Sequence, residues 1–168
     1  LYSLLAALYV LALQLAALID SLGPSGFGAL LAMSGVGMAI GAVVIAQAGH
    51  RFSRRRLSAT GLGTITWTLV LLSQLRGSLG FTLGLCGILG VGAALVAIPA
   101  QTTIQEETPE SERGRVFGLQ NNLINIALSL PLVLAGTLVS SIGLQPVLLL
   151  LAGLALTAAL LERPWQRC

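Results

Sequence analysis

Residues 48–61 read AGHRFSRRRLSATG, and they hold four of the nine arginines of the chain together with its single histidine. On either side the charges stop: residues 21–50 carry no acidic or basic side chain apart from that histidine, and residues 57–75 carry none. A basic knot between two long uncharged runs is what two membrane-crossing helices leave in water where they are joined. The rest of the chain has to be placed in lipid or in water before the knot can be given a role.

Composition places it in lipid. Of the 168 residues 55% are hydrophobic and 9% charged, whereas charged residues make up about a quarter of a soluble domain. The net charge of +3 would invite a nucleic-acid reading in a soluble protein. Here the position of each charge along the chain matters more than the sum. Cys86 lies inside an apolar run and Cys168 is the last residue, so neither a disulfide nor a metal site is expected, and no cofactor or nucleic-acid partner is called for. The chain begins at Leu1, without methionine and already apolar, which suggests that an upstream part precedes it. Residues 1–19 lack the charged start and small-residue cleavage site of a signal peptide.

A spanning helix needs about 20 apolar residues. Uncharged runs cover 1–19, 21–50, 57–75, 77–105 and 116–161, and Gly143 and Pro146 divide the last, overlong run in two. Six spans result, at roughly 1–19, 25–49, 57–75, 79–104, 115–141 and 145–161. They lack the alternation of barrel strands, so a helical bundle satisfies the backbone, and the short connections suggest that sequential helices are antiparallel neighbours. Arg51, Arg54, Arg55 and Arg56 then share one side with Arg113, Arg115, Arg163 and Arg167, which leaves only Arg76 opposite. The excess of basic residues makes that side cytoplasmic, with both ends of the chain on it.

The stretch GHRFSRRR resembles the connection between the second and third helices of a six-helix half in the major facilitator superfamily, whose signature reads G-x-x-x-D-R-x-G-R-R. Arg51, Arg54 and Arg55 stand at its three basic positions, while Ala46, His50 and Ser53 replace the first glycine, the aspartate and the second glycine. A degenerate copy of this kind is what the C-terminal half of the family usually carries. Residues 98–122, IPAQTTIQEETPESERGRVFGLQNN, are similar to the connection between helices ten and eleven in drug and siderophore exporters, with Arg113, Gly114 and Arg115 as its loop motif. Residues 130–143, LPLVLAGTLVSSIG, resemble helix eleven. The resemblance covers nearly the whole chain. It implies an all-α membrane protein whose six transmembrane helices form helices seven to twelve of a twelve-helix fold, the N-terminal half lying elsewhere. It also implies a secondary transporter of the cell (inner) membrane, exporting drug-like or siderophore-like small molecules in exchange for protons, with Arg51, Arg54 and Arg55 as a gating loop.

Several residues carry expectations of their own. The pairs Gly37–Gly41 and Gly80–Gly84 let helix backbones approach closely, for internal packing rather than dimerisation. Pro99 and Pro131 lie inside spans and kink them. In the fifth span Gly118, Asn122, Asn125, Ser129 and Gly136 fall near one stripe at about 100° per residue. Amides in hydrocarbon need partners or water, so the stripe faces another helix or a wet cavity, and Asn122, Asn125 and Ser129 become the candidate substrate residues. The sixth span, nearly all leucine and alanine, should be peripheral. Thr108 is a candidate N-cap for a helix starting at Pro109. No carboxylate sits in mid-span, which leaves any proton-coupling acid to the other half.

Two other classes compete. GPSG at residues 23–26 matches the G-x-S-G of a rhomboid-type serine protease, but the sole histidine, His50, stands at the far end of the same helix. At 1.5 Å per residue that puts it roughly 35–40 Å from Ser25, beyond any catalytic contact, so no enzyme is expected. A non-catalytic six-helix scaffold, or a half-transporter without activity, is the remaining alternative.

Overall fold

A computed structural model of the protein describes residues 25–49, 52–74 and 79–161. They form five helices, α1 (Ser25–Ala48), α2 (Arg54–Gln74), α3 (Leu79–Glu107), α4 (Arg113–Ile142) and α5 (Leu144–Leu161), with no strand among the described residues. The expected span at 1–19, and with it Asp20, lies outside the described residues, as do His50, Arg51, Arg76, Arg163 and Arg167. Three helices outrun the uncharged segments: α2 takes in three arginines at its start, α3 runs on to Glu107, and α4 begins at Arg113. A helix does not have to end where the bilayer does, because its hydrogen-bond ladder is internal and its charged end can stand in water.

Helices α1 and α3 contain apolar stretches long enough to cross a membrane, Gly28–Gln47 of 20 residues and Gly80–Glu107 of 28, and α5 contributes the shorter apolar stretch Gln145–Leu160. Helix α2 is richer in hydroxyls, and it disposes of them within its own backbone. Thr60 donates to the Leu57 carbonyl, Thr64 to Thr60, Thr66 to Leu62, Thr68 to Thr64 and Ser73 to Val70, at 2.7–2.9 Å. Each hydroxyl is satisfied without a partner from another helix, so a threonine-rich helix can lie at the centre of an apolar bundle.

Packing does not follow chain order. Helix α1 lies against α3, α3 against α2, and α2 against α5, while α4 and α5 meet over a short stretch. The expectation that sequential helices are neighbours therefore holds chiefly for α2 and α3. Glycines explain the exception. A Cβ on Gly37 would stand 1.9 Å from the Gly87 carbonyl oxygen, one on Gly90 2.0 Å from that of Ser34, and one on Gly41 2.7 Å from Ala94 Cβ. Positions 33 and 37 meet 87, 34 and 38 meet 90, and 41 meets 91 and 94, so the contacts rise along both chains and α1 and α3 run parallel with their backbones in contact. Such a seam is the means by which helices associate where lipid supplies no hydrophobic drive. The pair Gly80–Gly84 behaves differently: a Cβ there meets nothing within 4 Å, so internal packing among the described helices is not its use.

Helix α2 approaches α3 antiparallel through Gly61, whose Cβ would lie 2.8 Å from the Gly92 carbonyl oxygen. The same side of α2 carries Leu62, Ile65, Leu69 and Leu72, all buried, with Ile65 against Gly92 of α3. The spacing of three, four and three residues makes one helical stripe. That stripe and Val147, Leu148 and Leu151 of α5 share the core. The far side of α5, with Leu149, Leu150 and Leu154, is exposed, as suits a helix at the edge of the row. Gly143 joins α4 to α5 at φ +87° and donates its N–H to the Val139 carbonyl at 3.0 Å, a conformation open to glycine at little cost.

Candidate functional site

The basic connection is built by a cap. Ser53 precedes α2, and its Oγ accepts the N–H of Arg56 at 3.4 Å while its carbonyl accepts that of Leu57 at 3.1 Å, which is the N-cap arrangement. The serine that replaces a signature glycine thus starts the helix, a role that the sequence pattern alone did not single out. Arg54, Arg55 and Arg56 then fill the first turn of α2, and Arg113 and Arg115 the first turn of α4, neither turn holding an acidic residue. Cations at a helix N-terminus oppose the macrodipole at roughly 0.3–1 kcal/mol each. Helix propensity would not put them there, whereas the sidedness expected from the sequence would.

Acidic residues from the end of α3 and the turn after it offset part of that cost. Arg54 donates from one guanidinium nitrogen to Glu106 Oε2 at 2.5 Å and from the other to Thr103 Oγ1 at 3.2 Å, and Thr103 in turn donates to the Pro99 carbonyl at 2.9 Å. Arg113 stands 3.5 Å from Glu110. Both ion pairs are exposed, and pairs of this kind stabilise by about 0.2–1 kcal/mol. The value of the Arg54–Glu106 pair lies in fixing where α2 meets α3. Arg54, Arg55, Ser58, Pro99, Ala100 and Thr103 surround an open pocket of about 220 Å³ at this junction.

The connection from α3 to α4 departs from expectation. Thr108 is buried and donates its hydroxyl back to the Ile104 carbonyl at 2.6 Å, so it closes α3 and does not cap α4. A turn follows, with the Glu112 N–H on the Pro109 carbonyl at 3.0 Å, and α4 begins at Arg113 behind an N-cap Glu112 whose side chain makes no capping bond. Proline after a helix end stops that helix; here it does so four residues before the next one starts. Gly114 and Arg115 are exposed at the head of α4.

Along α4 the polar residues separate into two faces. Val116, Gln120, Ile124 and Ala127 are partly buried, at helical spacing, whereas Asn121, Asn122, Asn125 and Ser129 are exposed. At 100° per residue Asn122, Asn125 and Ser129 lie roughly 140–200° around the axis from Gln120. Gln120 Nε2 donates to Gln101 Oε1 of α3 at 2.8 Å. The Ser129 hydroxyl turns back to the Asn125 carbonyl at 2.7 Å. The side chains of Asn122 and Asn125 form no hydrogen bond among the described residues. The amides grouped together in sequence are thus divided into one that joins helices and two that do not. Gly136 and Pro131 fall within α4.

Among the described residues no three of His, Cys, Asp and Glu come together as metal ligands. Ser25 opens α1, whose 24 residues extend about 36 Å, and His50 lies outside the described residues.

Against known proteins, the family model described as Major Facilitator Superfamily matches residues 1–165. The chain belongs to that superfamily. It is therefore an all-α membrane protein, and its basic connection and α4 can be read as parts of a major facilitator fold. Over 129 residues it is 30% identical to the multidrug efflux pump Tap of Mycolicibacterium fortuitum, a match that takes in 77% of this chain and 31% of the relative. The chain thus spans about a third of the length of that relative. No solved structure matches.

Proposed function

We propose that the chain forms helices seven to twelve of a twelve-helix secondary transporter, a carrier and not an enzyme, which exports drug-like or siderophore-like small molecules in exchange for protons. The observation that carries this reading is the face of α4 bearing Asn122, Asn125 and Ser129. It is exposed, its two amides form no hydrogen bond among the described residues, and it lies opposite the packed face of the same helix. A primary amide left in hydrocarbon costs several kcal/mol on the order of its transfer free energy. In water it costs nothing, so the face belongs on a wet path between two halves, where carriers built from repeats hold their substrates. The name of the relative, a multidrug efflux pump, supports the same direction of transport.

On this reading Arg51, Arg54 and Arg55 form the gating loop, with the Arg54–Glu106 pair as its described contact. Arg113, Gly114 and Arg115 mark the second cytoplasmic connection, and both chain ends face the cytoplasm of the cell (inner) membrane. The described carboxylates Glu106, Glu107, Glu110 and Glu112 all lie at that surface, so the acid that couples proton flow belongs to the other half, the partner this chain needs besides lipid and substrate. The test is efflux of two dissimilar compounds from vesicles holding the full-length transporter, with and without a pH gradient. Asn122→Leu and Asn125→Leu should change the ratio of the two rates at unchanged abundance, and collapse of the gradient should abolish both. Equal loss of both rates in step with abundance would make the amides structural.

A further inference from the structure

We propose that Gln101 and Gln120 are a positioning pair, a single amide clasp that fixes the rotation of α4 about its axis and so decides which of its faces meets the transport path. The functional consequence rests on the reading above that this face is the one with Asn122 and Asn125.

Helix α4 needs such a device. Its contact with α5 is short, and Leu119, Leu123 and Ile126 stand exposed beside the amides, so packing among the described helices leaves its rotation weakly determined. The clasp, in contrast, is directional and partly buried, Gln120 Nε2 to Gln101 Oε1 at 2.8 Å.

The energetics point away from a role in stability. Gln120 Oε1 is buried without a partner, and a buried acceptor left unmade is penalised more than a made bond returns. Exchanging the two ends of either amide would still leave an end of the pair open, because one bond engages one end of each. Two apolar side chains of the same size would bury the contact with no such penalty. In some proteins a polar pair that does not favour stability favours one arrangement over others, and that is the role proposed for this one.

The place of Gln101 on α3 adds a connection. Pro99 has no N–H for the Leu95 carbonyl, and the hydroxyls of Thr102 and Thr103 bond back to the Ile98 and Pro99 carbonyls at 2.9 Å, a pattern that bends helices. Arg54 grips one side of this softened turn, at Thr103 and Glu106. Gln101 lies roughly 140–200° around the axis from those residues and grips α4. A shift at the basic connection is therefore passed through the last turns of α3 to α4.

The test uses the full-length transporter in a cysteine-free background, with single cysteines at Ile124 and Asn125 and a water-soluble maleimide as probe. In the parent, position 125 should label faster than 124. Gln120→Met, Gln101→Met and the double change keep side-chain volume and remove the clasp. Each should shrink the labelling ratio of 125 to 124 by about threefold, the factor set by one interhelical hydrogen bond in a membrane, with the double change no worse than either single one and thermal stability equal to or above the parent. An unchanged labelling ratio overturns the clasp. So does a loss of stability in the double variant without a change in that ratio. The substrate ratio is read in parallel: if labelling shifts and substrate preference does not, the clasp stands and the cavity reading of α4 fails.

Discussion

The row formed by α1, α3, α2 and α5 and the single helix α4 solve the problem of polar atoms in a membrane in opposite ways. In the row, backbone touches backbone at Gly37, Gly87 and Gly90, and the threonine hydroxyls of α2 return to their own helix. Of the row's polar side chains, Gln101 reaches out to α4. In α4 the Asn122 and Asn125 amides are exposed and form no hydrogen bond among the described residues. A membrane protein tolerates groups that are costly in lipid where they serve a purpose, and the contrast divides the described helices into a closely packed row and one helix that leaves polar side chains outside that packing.

Breaking the packed part should give the largest effect. Gly90→Leu places a side chain where a Cβ alone would lie 2.0 Å from the Ser34 carbonyl oxygen. Overpacking of this kind destabilises by about 1–3 kcal/mol or more, and backbone on the opposing side cannot yield. The yield of monodisperse full-length protein in detergent should fall severely. Gly84→Leu, which meets nothing within 4 Å, is the control and should leave it unchanged.

A smaller effect should come from the basic connection. Arg54→Ala removes an exposed pair worth ~0.2–1 kcal/mol, so melting temperature should scarcely move while transport falls, and the exchange Arg54→Glu with Glu106→Arg should restore part of it. Normal transport in Arg54→Ala would reduce the arginines to anchors of topology. Arg51→Ala tests the same loop at its first basic position.

The smallest effect is expected inside α2. Thr66→Val deletes a hydroxyl that serves only the Leu62 carbonyl of its own helix, at 2.9 Å, and replaces it with a methyl of similar size. Stability should change by less than about 0.6 kcal/mol, the average worth of a polar contact between membrane helices. A larger loss would mean that α2 uses its hydroxyls between helices, and the contrast with α4 would blur.

Much of this was legible in the chain itself. Gaps between charges mark where the described helices run, because charge in hydrocarbon is costly enough to dominate every local preference; even the arginines at the unfavourable ends of α2 and α4 follow from it. The neighbour relations were not legible. That Gly37 seats on Gly87 while Gly84 seats on nothing depends on the relative height of two helices, which no local pattern encodes. Thr108 misled for a related reason: a threonine before proline suits a helix start, yet the same hydroxyl can close the preceding helix, and tertiary burial decided for the latter. The polar stripe of α4 was readable as a stripe. Which amide on that helix joins α3 became clear only from the Gln120 to Gln101 bond.

The central claim is that α4 turns its Asn122, Asn125 and Ser129 face to water and its Val116, Gln120, Ile124 and Ala127 face to protein. Single cysteines placed in turn at positions 116 to 129 of the full-length transporter, exposed to a membrane-impermeant thiol reagent, measure it directly. Labelling rates should rise and fall with a period of about 3.6 residues, with maxima at 118, 122, 125 and 129 and minima at 116, 120, 124 and 127. Uniformly slow labelling, or maxima at the second set, would contradict the account.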